Sequence, residues 1–448
     1  MSRRGRRSAE FKRMQLSDIR QSPYWHDQIG APPTLPTGLT KTVDVLIVGA
    51  GYTGLSAAIT TARGGRSTLV LEAEDPGYGC STRNGGQIST SVKPSLDKLA
   101  AKFGAERARG IRMEGAKALK WIGDFIADEG LDCDFRRVGR FHAAHTPQHY
   151  ETLVRDAEKM RQRENIESFA VPRHEQRSQL GTDAYFGGVV FSAHCSVHPG
   201  KFHRELLRLC LAEGVQVVGQ CRVTRIARTA SGFRVETAKG PVEARDVIVA
   251  TNGYTTALTP WLQRRVIPIG SYIIATEELP EATIDTLFPG DRIASDTCKV
   301  VYYYRASPDR KRVLFGGRVS ASETTPLAGA ARLRQDMCRI FPELEGVGLS
   351  HAWSGTVAYS FDELAHTGVH DGVHYAMGYC GSGVSMAPYL GMRAGQKVLG
   401  LREGVTAFDG LPFPTRPLSQ GKPWFLPAAV AWYRWNDQRQ FRKAIGMS

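Results

Sequence analysis

The stretch that decides the fold is Val43-Asp44-Val45-Leu46-Ile47-Val48-Gly49-Ala50-Gly51-Tyr52-Thr53-Gly54. Its first six residues are nearly all apolar and β-branched, which predicts a buried parallel strand. Small, helix-compatible residues follow from 55 to 63, and a second apolar strand from 67 to 71 ends at Glu72. The stretch and its continuation therefore predict a βαβ unit.

The glycine turn inside this unit has the spacing of a dinucleotide-binding turn. Gly49 permits the tight turn, Gly51 lets the backbone approach a pyrophosphate, and Gly54 lets the helix pack closely on the strands. The helix N-terminus presents free N–H groups to phosphates, and Glu72 is placed to bind ribose hydroxyls. The predicted binding residues are Gly49, Gly51, Tyr52, Thr53, Gly54, Glu72 and Ala73. At this point NAD and FAD are both open.

Three further stretches favour FAD. The polar, glycine-rich run from 77 to 87 suits a backbone that lies along a long cofactor. The strand ending at 249 leads into a small-residue turn, as where a chain crosses under a dinucleotide, and the turn from 378 opens a helix whose N-terminus can stabilise a reduced flavin. The residues predicted to bind FAD here, together with Val223, are Gly79, Cys80, Ser81, Arg83, Asn84, Gly85, Gly86, Gln87, Ala250, Thr251, Asn252, Gly253, Gly378, Gly381, Ser382, Gly383 and Val384.

Composition limits the other functional classes. The net charge of +14 raises nucleic acid as a partner, but no nucleic-acid-binding signature accompanies it, so none is expected. The eight cysteines form no CxxC pair and no metal-ligand spacing, so no metal site is expected. No apolar run is long enough for a transmembrane segment, the basic N-terminus lacks the apolar part of a secretory signal, and the expected location is the cytoplasm.

Taken together, these motifs resemble the D-amino-acid-oxidase-like family of FAD enzymes and, within it, the γ-glutamylputrescine oxidase group. The resemblance covers about residues 22 to 440. The segments that carry it are Ser22-Pro23-Tyr24-Trp25, the glycine turn with Glu72, Gly79 to Gln87, His198-Pro199-Gly200-Lys201, Ala250-Thr251-Asn252-Gly253, Leu314-Phe315-Gly316-Gly317-Arg318, Trp353-Ser354-Gly355-Thr356, the Gly378 turn and Trp424-Phe425-Leu426-Pro427.

The resemblance implies an α/β fold, with a Rossmann-type FAD-binding domain and a second α+β substrate domain built on a mainly antiparallel sheet. The predicted boundaries are 1–40 for a basic tail and linker, 41–95 with 185–265 and 350–410 for a discontinuous FAD-binding domain, 96–184 with 266–349 for the substrate domain, and 411–448 for a C-terminal extension.

The resemblance also implies the reaction. In such enzymes a hydride passes from the carbon beside an amine nitrogen to flavin N5, and the imine product hydrolyses. The expected partners are a small amine, of γ-glutamyl-polyamine or N-substituted amino-acid type, and O2 or another electron acceptor; a homo-oligomer stays open. The alternative is an FAD-dependent dehydrogenase of a hydroxy acid or carbinol.

Three positions depart from the family pattern. Val357 and Gly381 stand where glycine oxidase and its relatives keep arginines, so a simple α-amino acid is not the expected substrate. Leu314 stands where sarcosine oxidase keeps an oxygen-activating lysine, which weakens oxidase relative to dehydrogenase. Cys80 and Cys380 lie in turns near the flavin, and we expect neither to bind it covalently.

The candidate catalytic residues come from aromatic side chains near these turns and from one arginine. Arg318 is the candidate for binding a distant substrate anion. In the run Tyr302-Tyr303-Tyr304 at least one ring must point away from the others, because side chains alternate along a strand. The predicted set is Tyr302, Tyr304, Arg318, Trp353, Tyr359 and Tyr379.

Overall fold

The structure is a computed structural model that describes residues 18–90, 92–317, 325–421 and 423–444. The strands are β1 (Thr42–Val48), β2 (Thr68–Leu71), β3 (Gln87–Ile88), β4 (Arg140–Ala143), β5 (Ser168–Val171), β6 (Gly188–Phe191), β7 (Cys195–Ser196), β8 (Gln216–Val218), β9 (Val223–Arg228), β10 (Phe233–Thr237), β11 (Val242–Val249), β12 (Val266–Thr276), β13 (Ile293–Asp296), β14 (Tyr302–Ala306), β15 (Val313–Gly317), β16 (Leu349–Ser360), β17 (His366–His370) and β18 (Val373–Met377).

The helices join these strands and pack on the two sheets. They are α1 (Tyr24–Asp27), α2 (Tyr52–Arg63), α3 (Leu96–Phe103), α4 (Ala105–Asp128), α5 (Pro147–Glu164), α6 (Pro199–Ala212), α7 (Pro260–Gln263), α8 (Glu281–Leu287), α9 (Pro326–Ile340), α10 (Gly383–Val398) and α11 (Leu426–Ala444). None of the described helices is long and apolar enough to cross a membrane.

The first sheet has the strand order β17-β18-β11-β1-β2-β8, and β9 and β10 extend it as an antiparallel hairpin beside β11. The pairs β1 with β11, β1 with β2, β2 with β8 and β11 with β18 are parallel. The central strand β1 lies between β2 and β11, and its apolar residues are buried on both faces. The predicted Rossmann-type unit is confirmed.

Helix α10 brings the far end of the chain onto this sheet. A Cβ on Gly391 would stand 2.2 Å from the Thr53 carbonyl oxygen, so α10 packs on α2 with backbone almost in contact. The chain therefore returns to the first sheet after it has built the second, which is why this domain is discontinuous.

The second sheet has the order β16-β12-β15-β14-β13-β4-β6-β5 and is antiparallel except for the pair β13 with β4. Helix α9 covers one of its faces, where an apolar core gathers around Phe315, Leu333 and Phe341. The other face turns toward the first sheet. The prediction of a second, mainly antiparallel domain is confirmed.

The structure corrects three of the predicted domain boundaries. Strand β6 lies in the second sheet although residues from 185 were assigned to the FAD-binding domain, and β16 does so although residues from 350 were assigned there. Helix α4 packs into the core of the first sheet although residues from 96 were assigned to the substrate domain. The reason in each case is that pairing and packing partners lie far along the chain, where local patterns carry no information about them.

Candidate functional site

The glycine turn joins β1 to α2 with almost no free space around it. Gly49 has a φ of +107°, which favours glycine, and a Cβ on Gly54 would stand 1.9 Å from the Gly49 carbonyl oxygen. A Cβ on Gly51 would stand 2.9 Å from Ser81 Oγ. Gly54 is thus fixed by packing within the turn, whereas Gly51 keeps the approach to the helix N-terminus open.

The N-terminus of α2 is built to accept a negative ligand. Its capping residue, Gly51, has no side chain to satisfy the first N–H groups, and the first turn contains no acidic residue. The Tyr52 N–H donates to Ser81 Oγ at 3.0 Å, so a hydroxyl from the predicted flavin loop already lies at this end. These features fit a pyrophosphate.

Glu72 lies at the end of β2, beside the turn. Its Oε2 accepts a hydrogen bond from the Ala50 N–H at 2.9 Å and its Oε1 one from the Glu74 N–H at 3.2 Å. Burial raises the pKa of Glu72, and these backbone N–H groups oppose that shift. The Cys221 N–H donates to the Glu72 carbonyl at 2.8 Å, which brings the start of β9, including the predicted Val223, next to this end of the site.

The loop from 79 to 87 is held from outside the βαβ unit. The indole Nε1 of Trp25 donates to the Asn84 carbonyl at 2.8 Å, and that of Trp353 donates to the Arg83 carbonyl at 3.0 Å. The buried Arg305 donates through Nη1 to the Gly86 carbonyl at 3.2 Å. Three side chains, two of them from the second sheet, therefore fix the position of this loop.

The loop also meets the second sheet directly. Gln87 Nε2 donates to the Ala294 and Tyr304 carbonyls at 3.1 and 3.2 Å. The ring of Tyr303 lies 2.9 Å from the place of a Cβ on Gly85, and glycine is needed there for the two to pack. The predicted loop residues thus lie at the interface between the two sheets.

The two remaining predicted turns lie together at the same edge. The Asn252 side-chain carbonyl accepts a hydrogen bond from the Gly378 N–H at 3.0 Å, with Asn252 at a φ of +43°. Helix α10 then starts at Gly383, and no side chain caps its first N–H groups. A Cβ on Gly253 would stand 2.7 Å from the Thr356 carbonyl, so this glycine serves packing against β16.

The structure reverses the choice among the three tyrosines of β14. Tyr302 and Tyr304 point into the apolar core under α9, and the Tyr304 hydroxyl donates to the Tyr185 hydroxyl at 3.0 Å. Tyr303 points to the opposite face, where its hydroxyl lies 2.8 Å from Ser271 Oγ. Tyr302 and Tyr304, which were predicted to be catalytic, therefore lie in the core, and Tyr303 is the ring that faces the flavin loop. The alternation of side chains along a strand required the middle ring to lie on the opposite face from the other two. It did not indicate which face meets the flavin loop.

Two other predicted catalytic residues are buried supports. Trp353 is fully buried and uses its only polar atom on the Arg83 carbonyl. The Tyr379 hydroxyl lies 2.7 Å from Thr53 Oγ1 and donates to the Ala376 carbonyl, inside the first domain. Both residues hold the turns predicted to bind the cofactor, and Tyr379 also lines the small cavity beside Lys93. Arg318 lies outside the described residues, so its role stays a prediction.

Tyr359 is the predicted aromatic residue that lies beside the turn before α10. The place of a Cβ on Gly381 lies 3.5 Å from its hydroxyl, and Lys93 Nζ lies 5.4 Å from the centroid of its ring. The set of catalytic residues predicted from the sequence contained neither Lys93 nor Tyr303. Lys93 lies six residues after the end of the flavin loop, and this short distance in sequence could have indicated a position near the flavin.

The positions that depart from the family pattern have ordinary surroundings. Val357 pairs with Ile269 inside the second sheet. Leu314 is 2 % exposed and packs with Trp25 and Trp353, so hydrocarbon fills its surroundings. Burial raises the pKa of both Cys80 and Cys380 to about 11, which keeps the two thiols protonated and poorly nucleophilic.

An FAD molecule fits what these residues offer. The uncapped α2 N-terminus fits the pyrophosphate, Glu72 fits the ribose, and the α10 N-terminus fits a region where negative charge develops. Among the described residues, no group of three or more His, Cys, Asp or Glu side chains is placed to hold a metal ion.

Comparison with known proteins agrees with this geometry. The profile of the family described as FAD dependent oxidoreductase matches residues 44–396. The gamma-glutamylputrescine oxidoreductase of Escherichia coli (strain K12) is 31% identical over 379 residues, which are 83% of this chain and 87% of that protein. A probable oxidoreductase OrdL of Haemophilus influenzae is 29% identical over 83% of this chain and 86% of its own length. The crystal structure of glycine oxidase from Geobacillus kaustophilus superposes with a TM-score of 0.70 at 18% identity, over 84% of this chain and 99% of that one.

Proposed function

The chain belongs to the family of FAD-dependent oxidoreductases, and from that premise we propose that it oxidises the carbon–nitrogen bond of an amine that carries an anionic group away from the reacting carbon. The predictions of an FAD cofactor, an enzyme and a D-amino-acid-oxidase-like family are confirmed by the family match. The amine, its anion and the electron acceptor are the parts that we propose.

The bound flavin would supply a hydride acceptor at the interface of the two sheets. The protein's task is then to hold the substrate carbon in position, exclude water and keep the substrate nitrogen uncharged. Aromatic rings suit the approach of an amine, because a cationic amine is attracted to a ring face before it loses its proton. Tyr303 and Tyr359 supply such rings at this interface.

The observation that carries the proposal is that two histidines, His142 and His194, are held uncharged. His142 lies on the sheet face that meets the flavin loop, with Nδ1 2.9 Å from Ser295 Oγ, and burial together with the nearby Arg140 lowers the pKa of His142 to about 3. Burial also holds the pKa of His194 well below its usual value. Both imidazoles are therefore weak bases.

Weak bases favour an amine over a hydroxy acid. A neutral amine can release a hydride from its neighbouring carbon without a base, because the nitrogen lone pair stabilises the developing cation. A carbinol must lose its hydroxyl proton as well, and that step needs a base poised near the working pH. The name of the Escherichia coli relative, a gamma-glutamylputrescine oxidoreductase, supports the same choice of substrate class.

We propose the distant anionic group because Val357 and Gly381 stand where glycine oxidase and its relatives keep arginines. Without arginines at these two positions, a carboxylate directly beside the reacting carbon has no cation there to bind it, whereas a more distant carboxylate can use another cation.

For the electron acceptor, the buried and apolar surroundings of Leu314 supply no charge to stabilise superoxide. We therefore expect O2 to be a slow acceptor.

The test is anaerobic bleaching of the bound flavin. The panel contains γ-glutamylputrescine, putrescine, glycine and 2-hydroxyglutarate, and air is then admitted to each reduced sample. We expect the first compound to bleach the flavin fastest and air to restore its colour slowly. Bleaching by 2-hydroxyglutarate alone would establish the carbinol alternative and refute the amine proposal.

A further inference from the structure

Lys93 lies between the flavin loop and the turn that opens α10. Part of its surface is exposed although protein atoms surround its ammonium group, its Nζ lies 5.4 Å from the Tyr359 ring centroid, and the Tyr359 hydroxyl faces the bare backbone of Gly381. Tyr359 therefore lies where a side chain at position 381 would extend, and the Lys93 ammonium group lies beside its ring.

One described carboxylate, that of Glu363, lies near Lys93 and acts on its charge without forming an ion pair with it. Loss of water around the ammonium group lowers the pKa of Lys93, but Tyr359, Cys380 and Glu363 together raise it above its ordinary value. No carboxylate of the described residues lies within the 4.0 Å of an ion pair with this lysine. The neighbouring groups on the second sheet, Arg140 and the uncharged His142, add no negative charge.

A surface groove leads to this place. It has a volume of about 390 Å³, and its charged lining residues are Lys98, Lys102, Arg416, Asp362 and Glu363. Glu363 lines both the groove and the small cavity beside Lys93, and the adjacent Asp362 is bound to His366 at 2.9 Å. The groove therefore has an excess of one positive charge in its lining, which favours the approach of a carboxylate.

We propose that Lys93 and Tyr359 form the anion-binding subsite of the active site, in which the ammonium group and the hydroxyl bind the distal carboxylate of the substrate. This inference rests on the proposed amine oxidation and names the residues that select its substrate. The cation of this subsite comes from a segment of the chain other than those that contain Val357 and Gly381, and it binds a more distant carboxylate.

The first experiment measures binding without turnover. Glutarate is titrated into the FAD-loaded enzyme, and the change in flavin absorbance gives its dissociation constant. We expect Lys93→Met to weaken glutarate binding about tenfold or more, because it removes one charge-assisted contact. Tyr359→Phe should weaken it less and Lys93→Arg should largely restore it. Lys239→Met, at an exposed turn beyond β10, is the matched control and should bind glutarate like the wild type.

The second experiment compares γ-glutamylputrescine with its α-carboxamide, which has the same shape and no carboxylate. We expect Lys93→Met to lower kcat/KM for the acid about tenfold or more, mainly through KM, and to leave that for the amide nearly unchanged. An equal loss for both compounds, or slower reoxidation by air as the main effect, would show that Lys93 acts on the flavin. A larger loss with Arg318→Met than with Lys93→Met would assign the anion to Arg318.

The two proposals fail in different ways. If no amine bleaches the wild-type flavin, amine oxidation is wrong, and the glutarate titration still decides whether Lys93 binds a carboxylate. If amines bleach the flavin but glutarate binds equally to wild type and Lys93→Met, the subsite is wrong and the function stands. Equal flavin content in all variants checks that each has folded.

Discussion

The hydroxyl of Tyr303 lies 2.8 Å from Ser271 Oγ, and the two residues share the sheet face that meets the flavin loop. The Tyr303 ring fills the space between Gly85 and Gly316, where a Cβ on either glycine would stand within 2.9 Å of it. The ring is therefore fixed, and its polar end lies at a defined place between the two domains.

Tyr303→Phe and Tyr304→Phe form a matched pair of neighbouring substitutions. We expect Tyr303→Phe to lower kcat/KM about tenfold, because it removes a hydroxyl at the substrate face, and to leave Tm nearly unchanged. Tyr304→Phe removes the hydrogen bond to Tyr185 and should lower Tm by about 1–2 °C with little change in kcat/KM. Steady-state kinetics and thermal unfolding check both. The reverse pattern would restore the assignment made from the sequence.

Gly51→Ala and Gly54→Ala separate cofactor binding from folding. The new methyl at 51 meets only Ser81 Oγ, which can rotate, so we expect a folded protein that retains less FAD because the backbone approach is blocked. The methyl at 54 meets backbone at 1.9 Å, so we expect insoluble or strongly destabilised protein. Flavin absorbance per protein and circular dichroism distinguish the two outcomes. A colourless, misfolded Gly51→Ala would contradict this division of roles.

Glu72→Gln should weaken FAD binding about tenfold or more, since a charged acceptor for ribose hydroxyls is replaced by a neutral amide. The measurement is the dissociation constant of FAD after removal and titration back of the cofactor. Glu74→Gln is the control, because Glu74 pairs with Arg222 at the surface at 2.8 Å. Equal effects of the two substitutions would argue against a ribose contact by Glu72.

Asp296 gives the protein a pH-dependent stability. Burial raises the pKa of Asp296 to about 7, against hydrogen bonds from the Tyr302 and Cys298 N–H groups that lower it. A raised carboxyl pKa means that the folded state holds a proton that the unfolded state has lost above about pH 4. The stabilisation is therefore complete below about pH 4 and is lost as the pH rises to about 7, by about 1.4 kcal/mol per pH unit.

The check is to measure the Tm of wild type and of Asp296→Asn at a series of pH values between 5 and 8. We expect the Tm of wild type to fall relative to Asp296→Asn as the pH rises, because the amide cannot titrate. Parallel curves would show that Asp296 keeps an ordinary pKa.

Acid precipitation should release all of the FAD into solution. The high pKa values of Cys80 and Cys380 leave too little thiolate to attack a flavin. Yellow colour in the precipitate that disappears only in Cys80→Ser or Cys380→Ser would overturn this expectation and identify the attached residue.

The glycine turn, Glu72 and the loop from 79 to 87 could be predicted because their chemistry is local. A tight turn, a helix N-terminus and a carboxylate at fixed spacing are written within a single segment of the chain. The resemblance to a known family added the second sheet, and the strand pairings bear it out.

The substrate side could not be read in the same way. Whether Tyr303 or its neighbours face the flavin loop depends on which face of β14 the helix α9 covers, and α9 is formed by residues after 325. Lys93 reaches Tyr359 across more than 260 positions of sequence, and nothing local to either residue indicates the meeting. The boundaries at β6 and β16 were wrong for the same reason.

The three carbonyl groups held by Trp25, Trp353 and Arg305 have a consequence for engineering by recombination. The loop that receives the flavin takes its shape from side chains that lie before it and far after it in the chain. A chimera that exchanged only residues 41 to 95 with a relative would keep the phosphate turn and lose the supports of this loop. Successful grafts must therefore transfer the indole and guanidinium donors together with the loop, so the smallest exchangeable unit of this enzyme includes residues of both domains.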